Sequence, residues 1–156
     1  MGKTAFCSFV LFLALFPSWE IPLVASDRAM PSEARDLLQK AIAHYDSVGR
    51  KKALSDFTSR KEPFADRNLY VLCIDADRIM VANGGFPQIV GTPADTAIDA
   101  NGKGLGKAAW DTISEKGEGV VHYRWINPAT HNLESKTTFF AKAGNDVCGV
   151  GTYEHQ

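Results

Sequence analysis

The sequence is poor in the residues that carry metal and redox chemistry. Three cysteines and four histidines are scattered through 156 residues. No CxxC, HExxH or GxSxG motif occurs, and no glycine loop of the kind that cradles phosphates. His44, His122, His131 and His155 lie far apart along the chain. No enzyme, no metal and no cofactor is expected. The charge is also unremarkable: 17 Lys and Arg against 18 Asp and Glu give a net charge of -1. Such a balance leaves no field to attract nucleic acid or an acidic membrane.

Long apolar runs are scarce as well. The single candidate, TAFCSFVLFLALF from Thr4 to Phe16, is shorter than the ~20 residues a spanning helix needs. It follows the basic start Met1-Gly2-Lys3, and PLVASD places the small residues Val24 and Ser26 at the -3 and -1 positions of a cleavage site. Residues 1–26 read as a secretory signal peptide, with cleavage between Ser26 and Asp27. The mature protein, residues 27–156, is then one domain with its core in 32–154, periplasmic or secreted. The leader holds Lys3 and Glu20, so its removal leaves the net charge at -1. Two cysteines remain, Cys73 and Cys148. An even count in an exported chain invites a disulfide, but both also suit a buried strand as small core residues.

Apolar residues at Ala34, Leu37, Leu38, Ala41, Ile42, Tyr45 and Val48 have helical spacing and predict a long helix from Pro31 to Val48. A second, shorter helix is expected in RKKALSDFT, and SRKEPFADRN reads as a loop. LYVLCID (69–75) and RIMVANGG are strand-like. FPQIVGTPADTAIDANGKG is an irregular connector, and LGKAAWDTISEK a helix closed by Gly117. Three strands follow, near 119–126, 133–143 and 146–154, the last two joined by a hairpin turn at Gly144-Asn145. The fold class is α+β, with one antiparallel sheet.

The hairpin VHYRWINPATHNLESKTTFF (120–139) carries large aromatics on one arm and Lys136 on the other. Tyr123 and Trp125 share a face because strand side chains alternate, and His122 and Arg124 take the opposite face. Two readings stand at this point: a packed sheet with a solvated lysine, or a cage for a small anion.

FADRNLYVLCIDADRIMVANGGFPQIVGT, WINPATHNLESKTTFF and VCGVGTY together resemble the single Cache domains of type 2, the extracytoplasmic sensory domains of bacterial chemoreceptors and sensor kinases. The resemblance covers nearly all of 32–154. It implies a long N-terminal helix packed on a PAS-like five-stranded antiparallel sheet, and a module that binds small ligands, often short carboxylates. Lys136 stands at the lysine of the family's PK pair, with Ser135 in place of the proline, and would meet a ligand carboxylate. Tyr123 and Trp125 would wall the pocket, Tyr70 would add a hydroxyl, and Phe64 and Arg67 would roof it. For Arg67 the alternative is an ion pair with Asp66 or another local acid. Asn83 replaces the histidine of the family's AHG motif, and Phe139 replaces a tyrosine, which deletes a hydroxyl.

The expected ligand is a small organic acid, a monocarboxylate in preference to a dicarboxylate. The alternative is a periplasmic protein-interaction subunit of a sensor kinase or transporter, with a degenerate pocket. The resemblance further implies that residues 32–48 can pair in a homodimer. Because the sequence shows no second apolar segment, the domain is expected to act as a stand-alone exported protein.

Overall fold

A computed structural model describes residues 28–98, 102 and 104–154, with Gly2 in isolation ahead of them. The apolar segment, the cleavage position at Ser26-Asp27 and His155 lie outside the described residues. Among the described residues no helix is long and apolar enough to cross a membrane.

The chain opens with α1 (Pro31–Val48) and α2 (Arg50–Thr58). Pro31 occupies the first helical position, where its missing N–H removes nothing. Glu33 accepts the Met30 N–H at 2.6 Å, which places a carboxylate at the positive end of the helix dipole. Gly49, at φ +81°, breaks α1 from α2 in a backbone conformation that a side chain would strain. Next come β1 (Ala65–Asp66), β2 (Leu69–Ile74) and β3 (Met80–Asn83), then two short 3₁₀ turns, Pro87–Ile89 and Ala94–Thr96. The chain finishes with α3 (Leu105–Lys116), β4 (Glu118–Ile126), β5 (Leu133–Ala143) and β6 (Asp146–Tyr153).

One antiparallel sheet runs β1-β2-β6-β5-β4, and β3 pairs with β2. The sheet has six strands where five were expected. The extra one is the two-residue β1, inside the stretch whose polar residues read as a loop.

Strand alternation divides the core into two layers. On one face Leu69, Val71, Cys73, Phe139, Cys148 and Val150 pack against Leu37, Leu38, Ala41 and Tyr45 of α1 and Phe57 of α2. On the other, Tyr70, Leu72, Tyr123, Phe140, Val147 and Tyr153 pack under Leu105, Ala109 and Ile113 of α3. The apolar stripe of α1 is therefore used on its own sheet, and Arg35, Asp36, Gln39 and Lys40 face outward. Tyr45 and Arg50 both donate to buried Asp146 at 2.8 Å, which ties the helix pair to the start of β6. Burial and that carboxylate push the Tyr45 hydroxyl up to about 12.

Cys73 and Cys148 are register partners on β2 and β6, and they are joined in a disulfide. The bridge staples the two central strands across a sequence separation of 75 residues. Closing a loop of that size is worth about 4 kcal/mol in the chain-entropy account. The double replacement Cys73→Ala, Cys148→Ala is expected to lower the urea midpoint by that amount of stability. A loss under about 1 kcal/mol would reduce the bridge to ordinary packing of two small side chains.

Candidate functional site

Strand register assembles the site. Tyr123 of β4 and Tyr153 of β6 both face Lys136 of β5, one from each side. All three side chains therefore stand together on the α3 face of the sheet. Tyr70, from β2, completes the group. Its hydroxyl accepts a hydrogen bond from Lys136 Nζ at 2.6 Å, and lies 3.2 Å from the Tyr153 hydroxyl. Tyr153 donates in turn to the Ile126 carbonyl at 2.8 Å. The lysine Nζ sits 4.0 Å from the Tyr70 ring centroid and 4.8 Å from that of Tyr153, within cation–π range of both.

Two glycines make this geometry possible. A Cβ on Gly151 would come within 2.6 Å of Lys136 Cε and 2.3 Å of Thr138 Oγ1. The lysine stem thus lies in space that only glycine leaves. A Cβ on Gly85 would stand 2.5 Å from the Tyr70 ring, so the chain after β3 passes close over that ring. Asn83 holds this passage in place: its side-chain oxygen accepts the N–H groups of Gly85 at 3.0 Å and Phe86 at 2.8 Å. The family histidine position is filled here by a turn-forming amide. The result is Phe86 set edge-on to both Tyr70 and Trp125, with centroids 6.0 and 5.9 Å apart. Phe86 and Trp125 are half-buried and form the outer layer of the cluster.

Lys136 is 1% exposed and belongs to no ion pair among the described residues. Burial alone pushes its amine well below the ordinary lysine range. Burial likewise raises the hydroxyls of Tyr70, Tyr123 and Tyr153, so all three are neutral donors near neutral pH. Tyr123 shares a 3.0 Å hydrogen bond with Thr138. The cluster is thus apolar rings with polar tips packed around one amine that has no anionic partner among the described residues.

The nearest acid by sequence, Glu134, is two residues earlier on the same face, but it is fully engaged. Arg28 donates to both its oxygens, Thr130 at 2.5 Å to one and Asn127 at 3.0 Å to the other. These bonds, led by Arg28, hold the carboxyl down at about 2. Asn127 also accepts the Ala129 N–H at 3.0 Å, so the NPAT turn and the base of β5 form one hydrogen-bonded unit.

Three of the expected pocket residues lie elsewhere. Phe139 is three residues from Lys136, and an odd separation on a strand means the opposite face. It packs under α1, with the Arg35 guanidinium 4.0 Å above its ring. The tyrosine-to-phenylalanine difference therefore removes no hydroxyl from this cluster. Phe64 also belongs to the α1 side, where its ring lies tilted against His44 at 4.6 Å and edge-on to Phe57 at 4.9 Å. Arg67 pairs with Asp66 at 2.7 Å and Glu33 at 2.5 Å, the local ion pairing that was its alternative. The carboxylate neighbours of an exposed loop reach the guanidinium first. Tyr70, Tyr123, Trp125 and Lys136 do come together.

Sequence reasoning singled out neither Phe86 nor Tyr153. Register could have found Tyr153, since the pairing of β5 and β6 about their hairpin sets it opposite Lys136. Nothing in the irregular connector pointed to Phe86.

The open clefts on the surface differ in charge, and one of about 470 Å³ is lined by Arg28, Arg67, Asn68, Asn127, Ala129 and Thr130. One of about 400 Å³ is lined by Glu33, Asp36, Glu62 and Asp66, which would repel an anion. Another of about 290 Å³ lies on the α1 side, over Phe139.

Residues 38–153 match the model of the family described as Single Cache domain 2. Three solved structures share the fold. A methyl-accepting chemotaxis protein from Vibrio parahaemolyticus RIMD 2210633 is 19% identical, with a TM-score of 0.64 over 78% of this chain and 86% of that one. A Cache chemosensory domain solved for its recognition of carboxylic acid is 19% identical, with a TM-score of 0.66 over 80% and 92%. The periplasmic sensor domain of a chemotaxis protein is 24% identical, with a TM-score of 0.60 over 80% and 90%. No curated protein matches the sequence.

The Glu134 clamp makes acid stability testable. Its folded pKa, about 2, lies below the ordinary 4.5, so its contribution is complete above pH 4.5 and is lost as pH falls towards 2. Asp56, held at about 2 by Lys52 and His44, shares that window. Melting temperature is therefore expected to drop between pH 4.5 and 2, and to drop less in Glu134→Gln. Parallel curves for the two proteins would remove Glu134 from the account.

Proposed function

Since this chain belongs to the Single Cache domain 2 family, we propose that it is an exported sensory module that binds a short-chain organic acid at Lys136. One observation carries the proposal: a fully buried lysine, ringed by Tyr70, Tyr123 and Tyr153, with no carboxylate among the described residues paired to it. Leaving a buried polar group short of partners costs about 1–3 kcal/mol, which a ligand carboxylate would offset by a charge-assisted hydrogen bond. The neutral Tyr70 hydroxyl, already beside Nζ, would supply a further donor for its oxygens. Phe86 and Trp125 offer an apolar wall for a short carbon chain. The one cation and the apolar wall favour a monocarboxylate.

Export belongs to the same proposal, with cleavage between Ser26 and Asp27 and residues 27–156 as the mature domain. A membrane sensor or transporter would receive the signal. The activity is binding; no catalytic cycle is included.

Calorimetry with acetate, propionate, pyruvate and succinate tests the site. A saturating monocarboxylate, at 100 times its Kd, is expected to stabilise the fold by about 2.7 kcal/mol. Lys136→Met is expected to abolish this effect while leaving the empty protein at least as stable, because it removes a desolvated amine at similar volume. Binding that survives Lys136→Met, or equal binding of succinate, would count against the proposal.

Proton uptake gives a second check. Burial disfavours the ammonium in the empty protein and pushes the amine well below the ordinary lysine range, whereas a bound carboxylate favours the ammonium. Affinity is therefore expected to fall as pH rises, by up to about tenfold per unit. The heat of binding should also depend on the buffer's ionisation enthalpy. Buffer-independent heats would mean the lysine is already charged when empty.

A further inference from the structure

Charge pairing does not exhaust the chemistry of Lys136. Every other described lysine is exposed, an ammonium in water, and Lys52, Lys61 and Lys107 are paired with acids. Lys136 alone is enclosed by aromatic rings, with its stem fixed against Gly151. Its Nζ touches a hydroxyl that can pass protons: Tyr70 at 2.6 Å, followed by Tyr153 3.2 Å further on. A desolvated lysine beside a proton donor is the arrangement that makes an amine a nucleophile towards carbonyl carbon.

We infer that Lys136 forms a reversible Schiff base with small 2-oxo acids, a refinement that rests on the carboxylate site proposed above. The neutral amine adds to the C2 carbonyl carbon. A carbon–nitrogen bond forms, and the carbonyl π electrons move to oxygen, which takes its proton from the Tyr70 hydroxyl as the nitrogen returns one. The carbinolamine then takes up one proton from solvent, its carbon–oxygen bond breaks, and water leaves with that electron pair. The nitrogen lone pair completes the C=N bond. In sum, amine, 2-oxo acid anion and one proton give a protonated imine and water, with nothing oxidised or reduced.

The carboxylate decides the class of carbonyl compound. In a 2-oxo acid the iminium charge and the carboxylate are adjacent, so the buried pocket gains a compensated pair. A simple aldehyde would leave the iminium alone among apolar rings. Burial holds the free amine well below the ordinary lysine range, in agreement with the geometry.

The test is reductive trapping of the full chain with pyruvate and cyanoborohydride at neutral pH, followed by peptide mass mapping. An adduct is expected at Lys136 about tenfold faster than at exposed lysines such as Lys40, Lys51 or Lys142. It should be slowed by excess propionate. Tyr70→Phe keeps the ring but removes the proton donor, and is expected to slow trapping by about tenfold or more. Lys136→Arg keeps a cation and removes the adduct. If acetate binds by calorimetry but pyruvate labels only exposed lysines, the Schiff base is overturned and the non-covalent site stands. No acid binding and no adduct overturns both. An adduct without acetate binding supports the Schiff base and overturns the non-covalent reading.

Discussion

The structure turns on one desolvated amine. Lys136 is among the largest fully buried side chains of the protein, and the groups around it are rings and hydroxyls. Cation–π contacts with Tyr70 and Tyr153 are each worth about 0.5–2 kcal/mol. An uncompensated buried charge costs more than that. The amine can stay in place only by losing its proton or by meeting an anion. Both possibilities follow from the same enclosure, and both give the site a use.

The enclosure is a product of the sheet. Register places Tyr123 and Tyr153 on either side of Lys136, and two glycines admit its stem and the chain above Tyr70. Behind this, the disulfide pins β2 to β6, so the Tyr70 and Tyr153 hydroxyls keep their spacing. At the hairpin, Arg28, Thr130 and Asn127 immobilise Glu134 and with it the start of β5. The frame is built from hydrogen bonds and apolar burial, and Lys136 stands within it without an anionic partner among the described residues.

What was legible in the sequence follows from this division. The helices at Pro31–Val48, Arg50–Thr58 and Leu105–Lys116, and β5 at Leu133–Ala143, agree with their expected bounds, because each shows its own period or turn signal. The pairing of Tyr123, Trp125 and Lys136 was legible because parity and a hairpin are local properties. Phe139 was misplaced by following a motif across an odd number of strand positions. Phe64 and Arg67 were misplaced because a loop's apparent nearness to a pocket says nothing about which partners it meets first. Asn83 has a defined role, holding Gly85 and Phe86, that its neighbours in sequence did not disclose.

Glu134 bears on selectivity. It lies two residues from Lys136 on the same strand face, about 7 Å along β5. Its carboxyl is ionised near neutral pH, because Arg28, Thr130 and Asn127 favour the charged form. Arg28 neutralises much of that charge, but its two bonds to Glu134 and one to the Glu154 carbonyl fix its orientation towards them. A ligand carboxylate on Lys136, as proposed, would have the Tyr70 hydroxyl as its nearest donor, since Tyr153 donates to the Ile126 carbonyl and Tyr123 bonds Thr138. A second carboxylate on the same ligand would point towards the hairpin and meet an acid that already has its donors, or towards Phe86 and Trp125 and meet apolar rings. The cations nearest those two directions are engaged, Arg28 with Glu134 and Arg60 with the Gly84 carbonyl at 3.0 Å. The proposed preference for one carboxylate thus rests on what surrounds the lysine, and needs no missing hydroxyl at Phe139, on which the sequence argument had relied.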